Sequence, residues 1–387
     1  MPAGISAFQP RRLTQARDAR ELTAVALADL VGVSPATISQ YENGHQKPRQ
    51  DTLDRVARAL NVPSDFLMRP AAASPQSTLF YRSMSSATKS ARARAEARYE
   101  WFLEALDYLL QFFDFPAVKV PSIDVPPDFR QITKEMIEQC ALQIREEWQL
   151  GLGPIANMVQ ILESHGVVVW RTLISADTLD AFSEFRTPHP VVVLSSTKVN
   201  YFRSRTDAAH ELGHLVMHRH VDRKALTKTS DFKLLEEQAH YFASAFLLPA
   251  ESYQKELWSL SLDAFRSLKP RWNVSMGLQI MRCRHLGLLT DEQEKRLWIN
   301  RSRRGWHKLE PLDDSIAPET PSLMSKGFRM LIESKVRTPA QLVQDLGLPA
   351  TDIEGLGGLP EGFVGSTDLQ GELRPKSPAT NVLPFRR

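Results

Sequence analysis

The chain's 387 residues, 42% apolar and 24% charged, predict two or three domains with ordinary cores at about 100–200 residues each. Lys+Arg 48 against Asp+Glu 45 leaves only +3, so the bulk charge marks no nucleic-acid binder and any such role is local. Two distant cysteines, Cys140 and Cys283, exclude a disulfide scaffold or CxxC site, and the lack of a leader-like or spanning apolar run predicts a cytoplasmic protein with no membrane segment.

Residues 11–68 read as short helices, with Leu13, Ala16, Ala19, then Ala26, Leu27, Leu30, then Leu53, Val56, Ala57, Leu60 at three- and four-residue steps. Within them, LTAVALADLVGVSPATISQYENGHQKP (22–48) has the layout of a helix-turn-helix. Thr23 caps a helix over 24–31, Gly32 supplies a positive-φ turn, and Ser34 caps a second helix with Pro35 at its first position. Val33 and Ile38 point inward. Ser34, Pro35, Ala36, Thr37, Ser39 and Gln40 are short or polar and are the candidate DNA-reading residues. Residues 1–70 hold 9 Lys+Arg against 7 Asp+Glu, so phosphate contacts lean on dimerisation or on the basic helix that follows. The stretch resembles the lambda repressor/Cro-like helix-turn-helix family over 11–68, including ISQYENGHQKP at 38–48. That resemblance implies an all-α domain at 1–70 binding a double-stranded DNA operator as a homodimer. At Ala24 the family usually has a DNA-contacting Gln, a departure that bears on affinity and not on fold.

AAASPQST at 71–78 reads as a linker. A helix follows over roughly 85–113, its first half a basic stripe of Lys89, Arg92, Arg94 and Arg98, so 71–130 is assigned as linker plus amphipathic helix. Pro116, Pro121, Pro126 and Pro127 break the pattern. Helical spacing returns over 131–150 and 154–164. GVVVWRTL (166–173), LDAFSEF (179–185) and HPVVVLSS (189–196) read as strands, followed by helices at about 204–219 and 232–248. Residues 251–365 form a helical C-terminal region, and the tail at 366–387 has no periodicity and is expected to be disordered.

The strongest chemical signal is His210-Glu211-Leu212-Gly213-His214. Residues four apart share a helix face, so both imidazoles reach one ion and Glu211 sits beside its water as a base. Such a site needs a third ligand downstream. The spacing that would recruit His220 requires Gly at 217, and Met217 does not take that left-handed turn. His218 lies about 12 Å along the axis from His210, too far to share the ion. A glutamate from the next helix fits better. Glu236 is favoured over Glu237 because it shares a face with His240, which then orients a ligand imidazole. His165, His218 and His220 read as surface or capping residues. Transition-state charge needs a further donor, and Arg203, Arg205, His240 and Tyr241 are all candidates. The 180–185 run is the candidate edge strand for an extended peptide.

RSRTDAAHELGHLVMH (203–218) with EEQAHYFASAFLLP (236–249) resembles the ImmA/IrrE family of metallopeptidases over about 150–250, and GPIANMVQILESHGVVV (153–169) resembles its lead-in helix and strand. WINRSRRGWHKLEP (298–311) resembles the tail of fusions with a Cro-like domain. The resemblance implies a mainly α chain with a small β-sheet, in which an α+β zincin-like (gluzincin) metallopeptidase domain at 131–250 follows the helix-turn-helix. It implies Zn2+ on His210, His214 and Glu236, with Glu211 as base. Together the two resemblances imply a DNA-binding regulator that cleaves a protein such as a repressor or antitoxin, in a stress, mobile-element or toxin–antitoxin setting. The alternative is a transcription factor whose peptidase-like domain senses a ligand or partner and cuts nothing. An intact Glu211 favours the enzyme.

Overall fold

The computed structural model describes residues 4–71, 88–121, 123, 125–173, 181–197, 200–221, 226 and 228–365. Residues 72–78 of the expected linker and the whole expected tail at 366–387 lie outside the described residues.

Four helices open the chain: α1 (Pro10–Ala19), α2 (Ala24–Val31), α3 (Pro35–Glu42) and α4 (Gln50–Ala59). Local chemistry sets their ends. Thr23 Oγ1 accepts from the Ala26 N–H at 3.0 Å and Ser34 Oγ from the Thr37 N–H at 3.1 Å, each satisfying an orphan donor of a first turn. Gly32 closes α2 at φ +73°, where a side chain would be strained. The two helices and their turn thus fall where the spacing predicts. Leu13, Leu27, Ile38, Leu53, Leu60 and Phe66 are fully buried between them.

α5 (Lys89–Leu109) lies along α1. Arg12 donates to Glu104 at 2.7 and 3.0 Å, and Gln15 Nε2 donates to Glu100 at 2.7 Å. Of its basic first half, Arg94 pairs with Glu21 at 2.7 Å and Arg98 with Asp352 at 3.7 Å, so two of those cations are engaged by acids of the same chain.

α6 (Lys134–Glu147) and α7 (Met158–Ser164) lead into β1 (Val168–Thr172), β2 (Ala181–Glu184) and β3 (Val191–Ser195). The sheet order is β1-β3-β2, with β1 parallel to β3 (Val168 opposite Val191) and β2 antiparallel to it (Ala181 opposite Leu194). Alternate side chains face opposite sides, and both sides are covered. Val168, Trp170, Phe182, Val191 and Val193 join the core of α1–α5, while Val169, Val192 and Leu194 join a second core. Among the described residues, β2 has no strand on its outer side.

That second core is built by α6, α7, α8 (Tyr201–Met217), α9 (Thr229–Leu247), α10 (Ala250–Glu256), α11 (Leu262–Trp272), α12 (Met276–His285) and α13 (Asp291–Arg303). The chain then returns: α14 (Leu323–Glu333), α15 (Pro339–Leu346) and α16 (Ala350–Gly357) pack into the core of α1–α5. Arg20, the C-cap of α1, donates to Asp352 of α16 at 3.0 Å, and the Arg69 guanidinium donates to the carbonyls of Gln344 and Asp345. Sixteen α-helices and one three-stranded sheet among the described residues make the chain mainly α with a small sheet, as expected.

Candidate functional site

α8 is buried along most of its length, packed against β2 and β3 on one side and α9 on the other. His210 and His214 stand one turn apart with their Nε2 atoms 3.0 Å from each other. Glu236 reaches across from α9: Oε2 lies 3.2 Å from His210 Nε2 and Oε1 lies 3.5 Å from His214 Nε2. Tetrahedral zinc, with bonds near 2.0–2.1 Å, sets its donors about 3.3 Å apart, so two imidazoles and a carboxylate at this spacing suit such an ion. Glu237, the rival ligand, is exposed. α9 comes this close because residue 213 is glycine: a Cβ there would stand 2.9 Å from Phe242 Cδ1.

Each of these imidazoles is also held from behind. His210 Nδ1 lies 3.2 Å from His240 Nδ1, His214 Nδ1 lies 2.9 Å from His218 Nδ1, and His218 Nε2 lies 3.0 Å from Gln238 Oε1. Gln238 Nε2 donates to the Phe129 carbonyl at 2.8 Å, which fixes the amide and with it the protons along the row. Because Gln238 Oε1 accepts, His218 is assigned its proton on Nε2 and accepts at Nδ1. His214 then donates from Nδ1 and leaves Nε2 bare, the form a cation binds. Burial would raise the Glu236 carboxyl, yet the His210 and His214 imidazoles against it, when protonated, outweigh that and hold it well below the usual carboxylate range. His210 is raised: burial opposes its charge, but Glu236 and the nearby Glu211 overcome it. His240 is held low by desolvation of its inner face and by the adjoining His210.

His218 is a capping residue, the C-cap of α8, and not a surface one: it is only 1% exposed and also braces His214. The signal is in the sequence: His218 continues the four-residue row beyond His214, too far to share an ion but close enough to hold its ligand. Gln238, also missed, carries no signal until α8 and α9 are placed together. His165 caps α7 and stacks on Trp148 at 4.1 Å, and His220 is exposed.

Glu211 is buried beside the triangle, and its carbonyl accepts from Ser183 Oγ of β2 at 3.4 Å. Two of the four candidate charge donors point elsewhere. Arg205 is enclosed by the carbonyls of Ile155 and Asn273 and by Glu319, and Tyr241 turns toward Glu138 and stacks on His285 at 4.2 Å. His240 adjoins the triangle, and Arg203 lines a cleft beyond it. The α3 N-cap Ser34 and, on α3, Pro35, Ala36, Ser39 and Gln40 are exposed, whereas Thr37 is half-buried with its hydroxyl 2.9 Å from Ser34 Oγ.

Fold and side chains together describe a helix-turn-helix unit joined to a peptidase-like α+β unit. Comparison with known families agrees: residues 13–67 match the helix-turn-helix family, and residues 162–284 match the IrrE N-terminal-like domain. The chain thus joins an XRE-type helix-turn-helix to an ImmA/IrrE-type domain, with α13–α16 beyond both matches. A search of curated proteins finds no match. No described helix is long and apolar enough to cross a membrane.

Proposed function

We propose that this chain is a cytoplasmic DNA-binding transcriptional regulator whose second domain is a zinc-dependent endopeptidase. Its substrate is a regulatory protein such as a repressor or antitoxin, in a stress, mobile-element or toxin–antitoxin setting. The observation that carries the reading is the triangle of His210, His214 and Glu236 with Glu211 beside it, on a chain that also exposes α3. Three protein donors leave one tetrahedral position open, which is the donor set of a catalytic zinc rather than a structural one. Zinc bound there supplies a Lewis acid that polarises a carbonyl and lowers the pKa of water toward ~7. Glu211 takes the proton of the attacking water and delivers it to the leaving amine. His218 and His240 keep the two ligand imidazoles oriented. β2 aligns an extended peptide along its outer side, and cleavage that survives Ser183→Pro would argue against that alignment. Ser34, Pro35, Ala36, Thr37, Ser39 and Gln40 meet an operator, with a homodimer setting two copies of α3 in successive major grooves.

The test is Glu211→Gln in the full chain. Elemental analysis is expected to show about one zinc per chain, kept in this variant and lost in His210→Ala and His214→Ala, while cleavage disappears. Unchanged cleavage removes Glu211 from the mechanism, and a wild-type chain that takes up no zinc removes the metal. The alternative, a transcription factor whose second domain senses without cutting, draws on the core that the sheet shares with α1–α5. It predicts operator affinity that responds to zinc with no cleavage at all.

A further inference from the structure

A cleft of about 330 Å³ opens next to the donor triangle, over the part of α8 that precedes it. Arg203 and Asp207 of α8 form one wall, and Gly277, Leu278, Met281 and Trp298 from α12 and α13 form the other. His240 belongs to both places: it lines the cleft, and its ring centroid stands 4.2 Å from that of His210. Asp207 lies one turn before His210 on the same helix. A peptide held across the triangle therefore lays a neighbouring side chain into the cleft.

The lining sets what that side chain is. Leu278, Met281 and the Trp298 ring give an apolar floor, with Leu278 buried. Above it stand two guanidiniums fixed in place. Arg203 donates to the carbonyls of His307 and Lys308 at 3.2 and 2.9 Å, and Arg301 pairs with Glu310 at 2.9 Å while lying 5.4 Å over the Trp298 ring. With Asp207 in the wall and Glu310 on Arg301 the rim is close to neutral, so the floor decides: a charged head set on it loses its hydration unrepaid, and an uncharged side chain does not. Gly277 sits where a Cβ would be in ordinary contact with Trp298 at 3.6 Å and with Arg301 and Glu310 Oε1 at 3.7 Å, so a methyl fits and anything larger crowds the cleft. Glu310 pins that wall by accepting from the Met276 and Gly277 N–H groups at 2.7 and 3.0 Å. The volume falls within the roughly 300–1,000 Å³ of ligand pockets, ample for one large side chain.

We propose that this cleft is the specificity site of the peptidase, taking one large uncharged apolar side chain beside the scissile bond and rejecting lysine and arginine. The inference rests on the peptidase reading above. Its test uses the zinc-loaded full chain and mixtures of acetylated octapeptide amides, each randomised at all positions but one, with cut sites read by mass spectrometry. Wild type is expected to favour Leu, Met or Phe over Lys and Arg by at least about 10-fold at one position flanking the cut. Gly277→Leu fills the opening and moves that position toward Ala and Ser, changing the Leu-to-Ala ratio by about 10-fold or more, and Gly277→Ala moves it part of the way. Zinc content and thermal midpoint report whether each variant is folded; if Gly277→Leu is not, Gly277→Ala and Met281→Trp carry the same comparison. Cutting by these variants with the wild-type preference overturns the cleft assignment and leaves the peptidase standing. If wild type cuts nothing, the peptidase reading falls, and the mixtures are captured on zinc-loaded Glu211→Gln chain instead. Capture biased to Leu, Met and Phe, and losing that bias with Gly277→Leu, supports the cleft; unbiased or absent capture overturns it.

Discussion

Replacing Gly213 by alanine sets two effects of opposite sign against each other. In an exposed helix the change stabilises by about 1 kcal/mol. Here the new Cβ would stand 2.9 Å from Phe242 Cδ1 and 3.2 Å from its Cβ and Cγ, where carbon atoms settle at about 3.5–4.0 Å. Phe242 is fully buried and stacks on Phe246 at 5.6 Å, so its ring cannot swing clear. Relief requires α9 to withdraw from α8 by about 0.5 Å. Overpacking costs about 1–3 kcal/mol, which leaves a net loss of about 0–2 kcal/mol. The metal consequence is sharper. His210 and His214 ride on α8 while Glu236 rides on α9, and metal–ligand distances tolerate only about ±0.2 Å. Chelator competition is expected to show zinc affinity at least about 10-fold weaker, with a small fall in Tm. Gly355→Ala on α16 is the control, since its Cβ meets nothing nearer than Arg98 Nη2 at 3.7 Å. It gains up to about 1 kcal/mol and leaves zinc untouched. Zinc affinity within about twofold of wild type in Gly213→Ala would refute the claim that this close approach sets the triangle.

His218→Ala removes the acceptor behind His214 and is expected to weaken zinc binding by about 10–100-fold with far-ultraviolet circular dichroism unchanged; undiminished affinity would leave His218 a simple cap. His285 is pushed down to about 4, by burial first and then by Arg282, and its Nδ1 lies 2.8 Å from Ser244 Oγ. The unfolded chain takes up this proton near pH ~6.5 and the folded chain only near pH 4, so stability falls as pH drops through that window. Denaturant curves of His285→Gln are expected to lose that part of the slope, and an unaltered slope would assign it to other groups. Thr37→Ala and Gln40→Ala are expected to weaken operator binding at constant zinc content, and gel shifts indifferent to both would count against α3 as the reader.

What the sequence makes legible is what is decided within a few residues. Thr23, Gly32, Ser34 and Pro35 fix the ends of α2 and α3 whatever packs around them. Two valine-rich runs and the apolar–polar alternation of LDAFSEF locate three strands, and the four-residue spacing of His210 and His214 puts two imidazoles on one face before any helix is seen. Glu236 is legible for the same reason, since it and His240 share a face. Features that depend on distant partners are not. The Arg94 and Arg98 stripe looks solvated until Glu21 and Asp352 arrive from the two ends of the fold. No local pattern separates α14–α16, which join the first core, from α10–α13, which join the second.

β2 shows how the two cores meet. Successive residues of a strand face opposite sides, so a four-residue strand presents two different contacts within one step. Phe182 and Glu184 face α5: Tyr99 stands edge-on to Phe182 at 5.2 Å and its hydroxyl donates to Glu184 at 2.6 Å. Ser183, between them, faces the other way and donates to the Glu211 carbonyl. α5 in turn is bound to α1 through Arg12–Glu104 and stacks Phe102 on Trp170 of β1 at 4.6 Å. Close-packed interiors pass on small displacements rather than absorbing them. The backbone that carries Glu211 is therefore held, through one strand, by the same helix that holds α1, and the helix-turn-helix and the proposed base are parts of one packed body.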